Sequence, residues 1–266
     1  MDALRRLKEK VFGMVRRLLS WRTVDNMIEL KAVSKIFRTD IVETYALREF
    51  DLKIVAGEFV AITGHSGCGK TTLLNVAGLL EEFETGSYQL DGEDVNTLSD
   101  NQRSRIRNRK IGFVFQGFNL IPNLNIYDNV DAPLHYRRMP AVERRKRVSD
   151  SLEKVGLISR MKHFPAQLSG GQQQRAAIAR AIGGEPRVIL ADEPTGNLDT
   201  TMSSQIMDLL QSINASGTTI LMVTHNNELA QRAQRQVHMV DGQIATDSPI
   251  GSVERTYANH PGQIQP

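Results

Sequence analysis

The chemistry of this chain opens with a glycine-rich run that carries a lysine and two threonines. Gly64-His65-Ser66-Gly67-Cys68-Gly69-Lys70-Thr71-Thr72 fits the spacing G-x-x-x-x-G-K-[ST]. Glycines spaced in this way let the backbone curl until successive N–H groups converge on an anion. The helix that follows adds its positive N-terminal dipole. Lys70 is the cation for the β and γ phosphates of a nucleoside triphosphate, and the Thr71 hydroxyl is an oxygen ligand for Mg2+. Cys68 fills a variable position of the run, where alkylation would obstruct the phosphates.

Two further stretches belong to the same chemistry. Asp192-Glu193 closes the apolar run Val188-Ile189-Leu190-Ala191. At such a strand end Asp192 is expected to hold Mg2+ through water, and Glu193 to polarise the water that attacks the γ-phosphate. Leu168-Ser169-Gly170-Gly171-Gln172, followed by Gln173-Gln174-Arg175, sets a serine and two glycines ahead of a helix expected over 173–183. That is a second anion nest. One ATP needs one nest, so the second predicts a γ-phosphate gripped from another subunit.

Elements must position these groups. Glu58-Phe59-Val60-Ala61-Ile62-Thr63 reads as a buried strand and Thr72–Ala77 as a helix start, so the glycine run joins a strand to a helix. Alternation in Ile28-Glu29-Leu30 and Phe50-Asp51-Leu52-Lys53-Ile54 predicts an antiparallel β lobe before it. A hairpin turning at Asp91-Gly92 should join that lobe. Ile111–Phe115 reads as a strand ending at Gln116. The segment 117–168 is polar and helical, over 124–138 and 141–156, with a break at Met139-Pro140. From Leu168 helix and short apolar strand alternate, the rhythm of a parallel α/β core. After about Ile244 the tail reads as loosely ordered. The basic clusters at 103–110 and 144–147 read as solvated helical faces, with lipid headgroups or a partner loop as the alternative.

Composition narrows the class. At 266 residues and 24% charged the chain can bury an ordinary globular core. It contains no apolar run of about 18 residues, the length a spanning helix needs, and no signal-peptide pattern. A single cysteine forms no internal disulfide, in keeping with a reducing compartment. The net charge of +3 is unevenly spread: residues 1–22 carry +5, which leaves −2 for residues 23–266. The body therefore has no phosphate-backbone footprint, and nucleic acid is not an expected partner. Within 2–22, Leu4, Leu7, Val11, Val15, Leu18 and Leu19 recur at three- and four-residue steps among basic residues. This pattern predicts a basic amphipathic helix suited to an anionic membrane surface. A helix packed on the protein, or a start at Met27, are the other readings.

Taken in order, these motifs resemble the ATP-binding subunit of an ABC transporter. The resemblance covers about residues 27–245. It rests on Gly64–Thr72, Gln116, Leu168–Gln172, Asp192-Glu193, Asn197-Leu198-Asp199 and His225. The chain is most similar to the branch of lipoprotein-release, macrolide-efflux and cell-division ATPases (LolD, MacB and FtsE). Phe113–Pro122, Leu168–Arg175 and Ala191–Asp199 carry that finer match.

The resemblance implies an α/β fold: a P-loop NTPase core of RecA type, an antiparallel β subdomain, and an inserted helical subdomain over about 117–168. A basic extension (1–26) and a tail (246–266) flank it. It further implies that two copies sandwich two ATP head to tail. Lys70, Thr71 and the loop amides would bind from one side, and Ser169, Gly170, Gly171 and Gln172 from the other. Gln116 would ligate Mg2+ and sense the nucleotide. His225 would contact the γ-phosphate and position the water, and Asp199 would communicate between sites. Phe37 is the expected adenine platform, with Tyr45 as the alternative. The implied partner is an integral-membrane permease, typically with four spanning helices and a large extracytoplasmic domain. The implied place is the cytoplasmic face of the bacterial inner membrane. The rival reading is a soluble ABC-type ATPase acting on ribosomes or nucleic acid. Such proteins usually carry two cassettes or a coiled-coil insertion, and this chain has neither.

Overall fold

A computed structural model describes residues 26–38 and 42–250, with the backbone of 255 and 256. The expected amphipathic helix over 2–22 lies outside the described residues, as does the tail beyond Ile250 apart from 255–256.

The chain begins with two long strands, β1 (Asn26–Arg38) and β2 (Glu43–Val55), paired antiparallel. β3 (Phe59–Thr63) then runs into the glycine loop and α1 (Lys70–Ala77). β4 (Thr85–Leu90) and β5 (Glu93–Asp94) form the expected hairpin, and β4 pairs with β1. Its turn is Asp91-Gly92, both at positive φ (51° and 75°), the combination a tight hairpin turn requires. The result is a four-stranded antiparallel sheet in the order β2-β1-β4-β5.

The core follows. α2 (Asp100–Lys110) leads into β6 (Ile111–Phe115). α3 (Ile126–His135) and α4 (Ala141–Lys154) make up the helical insertion, breaking at Met139-Pro140 as expected. α5 (Gly170–Ile182) returns to β7 (Val188–Asp192). α6 (Thr200–Ala215), β8 (Thr219–Val223), the short α7 (Asn227–Ala230) and β9 (Arg235–Val240) come next. β10 (Gln243–Pro249) and β11 (Arg255–Thr256) complete a seven-stranded sheet, in the order β11-β10-β9-β3-β8-β7-β6. The five strands β9, β3, β8, β7 and β6 are parallel.

Their sequences read as continuous apolar runs because both faces are covered. Val60 and Ile62 of β3 face a core shared with α1 and the antiparallel sheet. Phe59 and Ala61 face a second core shared with α3, α4, α5 and α6. β7 and β8 divide in the same way, Leu190 and Leu221 to one side, Ile189 and Ile220 to the other. Two cores on one sheet hold all the loops at its C-terminal edge in a fixed relation.

The structure corrects the sequence reading at two boundaries. The tail expected to loosen after about Ile244, from residue 246, is an ordered strand to Pro249, paired with β9. Arg235 pins it: its guanidinium donates twice to the Asp247 carboxylate, at 2.6 and 2.6 Å, and also meets Glu58 at 3.1 Å. These side chains are mostly buried, so the pairing fixes the edge of the sheet rather than decorating it. The helix expected over 173–183 also begins earlier, at Gly170, for a reason found in its cap.

Candidate active site

Four loops meet at the C-terminal edge of the parallel strands, where an α/β sheet places its ligands. They follow β3 (Gly64–Gly69), β6 (Gln116), β7 (Glu193) and β8 (His225).

The loop after β3 is a cradle that only glycine can line. A Cβ on Gly64 would lie 2.4 Å from the Met239 carbonyl oxygen, and one on Gly69 2.1 Å from that of Ala46. Gly69 is also the N-cap of α1 with φ 103°, and no side chain caps that helix. The first N–H groups of α1 are left without a side-chain acceptor, as a phosphate site requires. Lys70 is 7% exposed, and its ammonium donates to the carbonyls of Gly64 (2.9 Å) and His65 (2.8 Å). The cation is thus already held in the cradle by neutral acceptors, which leave its charge for an incoming anion. Cys68 is buried beneath the loop at 1% exposure, with its sulfur 3.8 Å from the Lys70 ammonium. His65, Ser66 and Gly67 form the exposed outer rim, where His65 reaches Asp241 at 3.4 Å. Thr71 and Thr72 stand in the first turn of α1.

The acids stand opposite. Asp192 ends β7, and its carboxyl is pushed above the ordinary carboxylate range. Burial is the largest cause, the neighbouring Glu193 charge adds to it, and Lys70 opposes both. Such a group gains from a cation beside it. Glu193 has left the strand with φ 45°, a left-handed conformation uncommon outside glycine. Its N–H is held by the Val223 carbonyl at 2.9 Å, which locks the unusual turn to β8. Glu193 Oε2 lies 2.5 Å from His225 Nδ1. Glutamate and histidine come from adjacent strand ends, and Thr224 anchors the histidine loop through its N–H to the Ile62 carbonyl (3.0 Å). The strand-end acid and the distant histidine are therefore one unit.

Gln116 lies at the end of β6, exposed. Its side-chain amide donates to Asn197 Oδ1 (3.3 Å), and Asn197 Nδ2 donates back to the Gln116 carbonyl (2.9 Å). The bond to Asn197 Oδ1 engages the amide nitrogen, whereas a role at a metal would use the amide oxygen, Oε1. Asn197 is the partner that residue types alone do not reveal, because it lies 81 positions away.

Ser169 caps α5. Its hydroxyl accepts from the Gln172 N–H at 3.3 Å, and the Gln172 side chain accepts from the Ser169 N–H at 3.1 Å. This reciprocal cap explains why the helix starts at Gly170. Gly171 is packed so closely that a Cβ would lie 2.7 Å from Met202 Sδ, and Gly170 sits against Leu198. Asp199 caps α6 by accepting from the Met202 N–H at 2.8 Å. The 169–172 turn and the Asp199 loop are consequently a single packed unit.

Phe37 and Tyr45 are both exposed, 42% and 46%. Thr44 pairs with Phe37 and Tyr45 with Ile36, so the two rings leave opposite faces of the sheet. The Lys35 ammonium stands 5.1 Å from the Phe37 ring centroid and Arg48 5.3 Å from that of Tyr45.

Among the described residues no three His, Cys, Asp or Glu side chains converge on a point that could hold a metal. The donors at the sheet edge are the Thr71 hydroxyl, the Gln116 amide and the Asp192 carboxylate. These hard oxygens suit Mg2+, a cation that takes few protein ligands and completes its shell with phosphate and water.

Comparison with known proteins agrees with this geometry. The family model described as ABC transporter matches residues 47–196. The ABC transporter ATP-binding protein YknY of Bacillus subtilis is 49% identical over 86% of this chain and 99% of its own length. The macrolide export ATP-binding/permease protein MacB of Brucella melitensis is 46% identical over 84% of this chain. That match spans only 34% of the relative, so the chain corresponds to about a third of it. Among solved structures, the cassette MJ0796 in a dimeric post-hydrolysis state bound to ADP and Pi superposes with a TM-score of 0.79. It is 41% identical, covering 85% of this chain and 100% of that one. A glycine cradle holding a lysine, a Glu–His pair across two strand ends and a capped Ser-Gly-Gly turn thus occur in a chain that belongs to the ABC transporter family, as one of its ATP-hydrolysing, ATP-binding subunits.

Proposed function

We propose that two copies of this chain close around two ATP molecules, head to tail, and drive a separate membrane permease of the macrolide-efflux or lipoprotein-release type. The observation that carries the chemistry is the Glu193–His225 contact at 2.5 Å, beside a cradle in which Lys70 is already held. In this reading the loop amides and Lys70 bind the β and γ phosphates, and the Glu193 carboxylate polarises the attacking water. His225 positions that water and senses the γ-phosphate. Mg2+, held by Thr71, Gln116 and, through water, Asp192, would neutralise charge on the phosphates. Ser169 and Gly171 of the second copy complete the site, Asp199 links the two sites, and Phe37 stacks on adenine. The helical insertion with Gln116 receives the permease's cytoplasmic loops. This sets the protein at the cytoplasmic face of the bacterial inner membrane, with residues 2–22 as an added contact to the membrane surface.

Solved relatives support the pairing of copies, since MJ0796 is dimeric. MacB relatives, whose names join ATP-binding and permease functions, support the partner. The test is tagged Glu193→Gln protein in its native host with ATP. It should bind ATP, lose turnover on the order of 10²–10⁴-fold, and co-purify with a permease of few spanning helices and a large outer domain. Near-normal turnover would assign the base elsewhere. Ribosomal or nucleic-acid partners without a membrane protein would remove the transporter reading.

A further inference from the structure

β6 ends in a turn whose backbone takes an unusual path. Phe118 and Asn119 stand at φ 61° and 49°, two consecutive left-handed residues, neither of them glycine. For a bulky side chain this region is a steric outlier, and strained backbone persists only where its surroundings impose it. Within the turn the Phe118 N–H donates to the Phe115 carbonyl at 3.2 Å, and the Asn119 N–H to the Gly117 carbonyl at 2.6 Å. The carbonyls of the two left-handed residues are held by another element. Arg180, in the last turn of α5, donates through Nη2 to the Phe118 carbonyl (3.0 Å) and through Nη1 to that of Asn119.

The guanidinium is committed to this turn. It is half-buried and makes no ion pair with any described residue. Burial alone holds it below its ordinary value. Drawing a cation out of water is costly, and the bonds to the two carbonyls are what offset it. A planar fork suits two neighbouring acceptors, a geometry that a lysine ammonium does not reproduce. The other end of α5 touches the same turn, since a Cβ on Gly170 would lie 3.7 Å from Phe118 Cζ. One helix thus holds the turn twice, by the ring at its start and by the carbonyls at its end. Gln116 stands two residues before Phe118, and its carbonyl is the one that Asn197 reaches, so the path of the turn sets where Gln116 lies.

We propose that Arg180 is a positioning residue for Gln116. Its guanidinium imposes the left-handed turn, and the turn fixes the end of β6 so that the Gln116 amide oxygen reaches a metal at the sheet edge. Arg180 acts only through the turn. The inference rests on the reading of Gln116 as a Mg2+ ligand given above, and adds the residue of α5 that sets it.

The test uses the full chain and two readouts. The first is hydrogen exchange of the Phe118 and Asn119 amides in the nucleotide-free protein, followed by NMR. Arg180→Ala should speed it by about tenfold, as a local opening no longer opposed by the clamp. The second is affinity for Mn2+, a paramagnetic stand-in for Mg2+, in protein saturated with a non-hydrolysable ATP analogue and read by electron paramagnetic resonance. Arg180→Ala should weaken it on the order of tenfold, as loss of an outer-shell support does. In a Gln116→Ala background the same change should add less than about twofold, because both act through one ligand. Asn119→Gly should restore most of the affinity to Arg180→Ala, since glycine takes the left-handed conformation without strain. If Arg180→Ala fails to fold, Arg180→Lys serves, with a loss of about threefold and the same rescue. A lower melting temperature with exchange and Mn2+ affinity unchanged would make Arg180 a structural residue only, and overturns the proposal. So does a full additional loss in the Gln116→Ala background, or no rescue by glycine. Unchanged Mn2+ affinity in Gln116→Ala itself removes the metal reading of Gln116, and the inference with it.

Discussion

Two helices in this molecule begin at glycine-rich turns, and they begin in opposite ways. α1 starts at a left-handed Gly69 with no side-chain cap, and the buried lysine of its first turn reaches back into the loop before it. α5 starts at an extended Ser169 whose hydroxyl and backbone N–H are closed by Gln172. The first has the parts of an anion site within one chain: bare amides, a cation and walls that admit only glycine. The second has no cation of its own, its amides are partly satisfied, and its serine is exposed. In the proposed reading one end holds a phosphate by itself, and the other finishes a grip begun on the second copy. The difference teaches that a sequence nest and a binding site are separate things, and that the capping geometry distinguishes them.

Substitutions at the two ends should therefore fail differently. The largest effect is expected at Lys70→Ala, which removes a charge-assisted contact worth about 1.5–3 kcal/mol. ATP affinity, read by nucleotide titration of the isolated chain, should fall on the order of 10–100-fold. Unchanged affinity would contradict the phosphate assignment. Ser169→Ala should leave that affinity intact and instead lower ATP turnover, by about tenfold for loss of one contact to the transferred phosphate. The helix should also lose about 1 kcal/mol from its cap. Weakened ATP binding by isolated Ser169→Ala chain would erase the contrast between the two ends.

The smallest effect is one of stability. Asp192 carries a carboxyl pushed upward by burial and by Glu193, so keeping it ionised at neutral pH opposes folding. Asp192→Asn should raise the melting temperature of the nucleotide-free protein by about 2–4 °C while abolishing Mg2+-dependent turnover. The gain should shrink as pH falls through the raised folded-state pKa, because protonation then removes the same penalty from Asp192. A melting temperature that drops at neutral pH would show that the acid stabilises the empty fold.

Much of this was legible in the residues. Strands buried on both faces, such as Val188–Asp192 and Thr219–Val223, announce themselves as unbroken apolar runs. The glycine loop was equally plain, because its spacing is dictated by the phosphates rather than by the rest of the fold. What stayed hidden depends on distant partners. β10 has the composition of a tail, and becomes a strand because Asp247 meets a half-buried Arg235. The need for glycine at 64 and 69 comes from the carbonyls of Met239 and Ala46, which no local pattern foretells.

β6 has a consequence that reaches beyond its five residues. Phe113 and Phe115 line a groove beside α2, and the strand then ends at Gln116, which is tied through Asn197 to the loop that follows Glu193. In the proposed reading, a permease segment docked beside β6 and a nucleotide at the sheet edge would both act on this shared piece of backbone. Linkage makes any exchange between them reciprocal: if a docked segment tightens the hold on ATP by some factor, ATP tightens the hold on that segment by the same factor. A permease that stimulates its ATPase by raising nucleotide affinity must therefore be held more firmly by the loaded cassette than by the empty one.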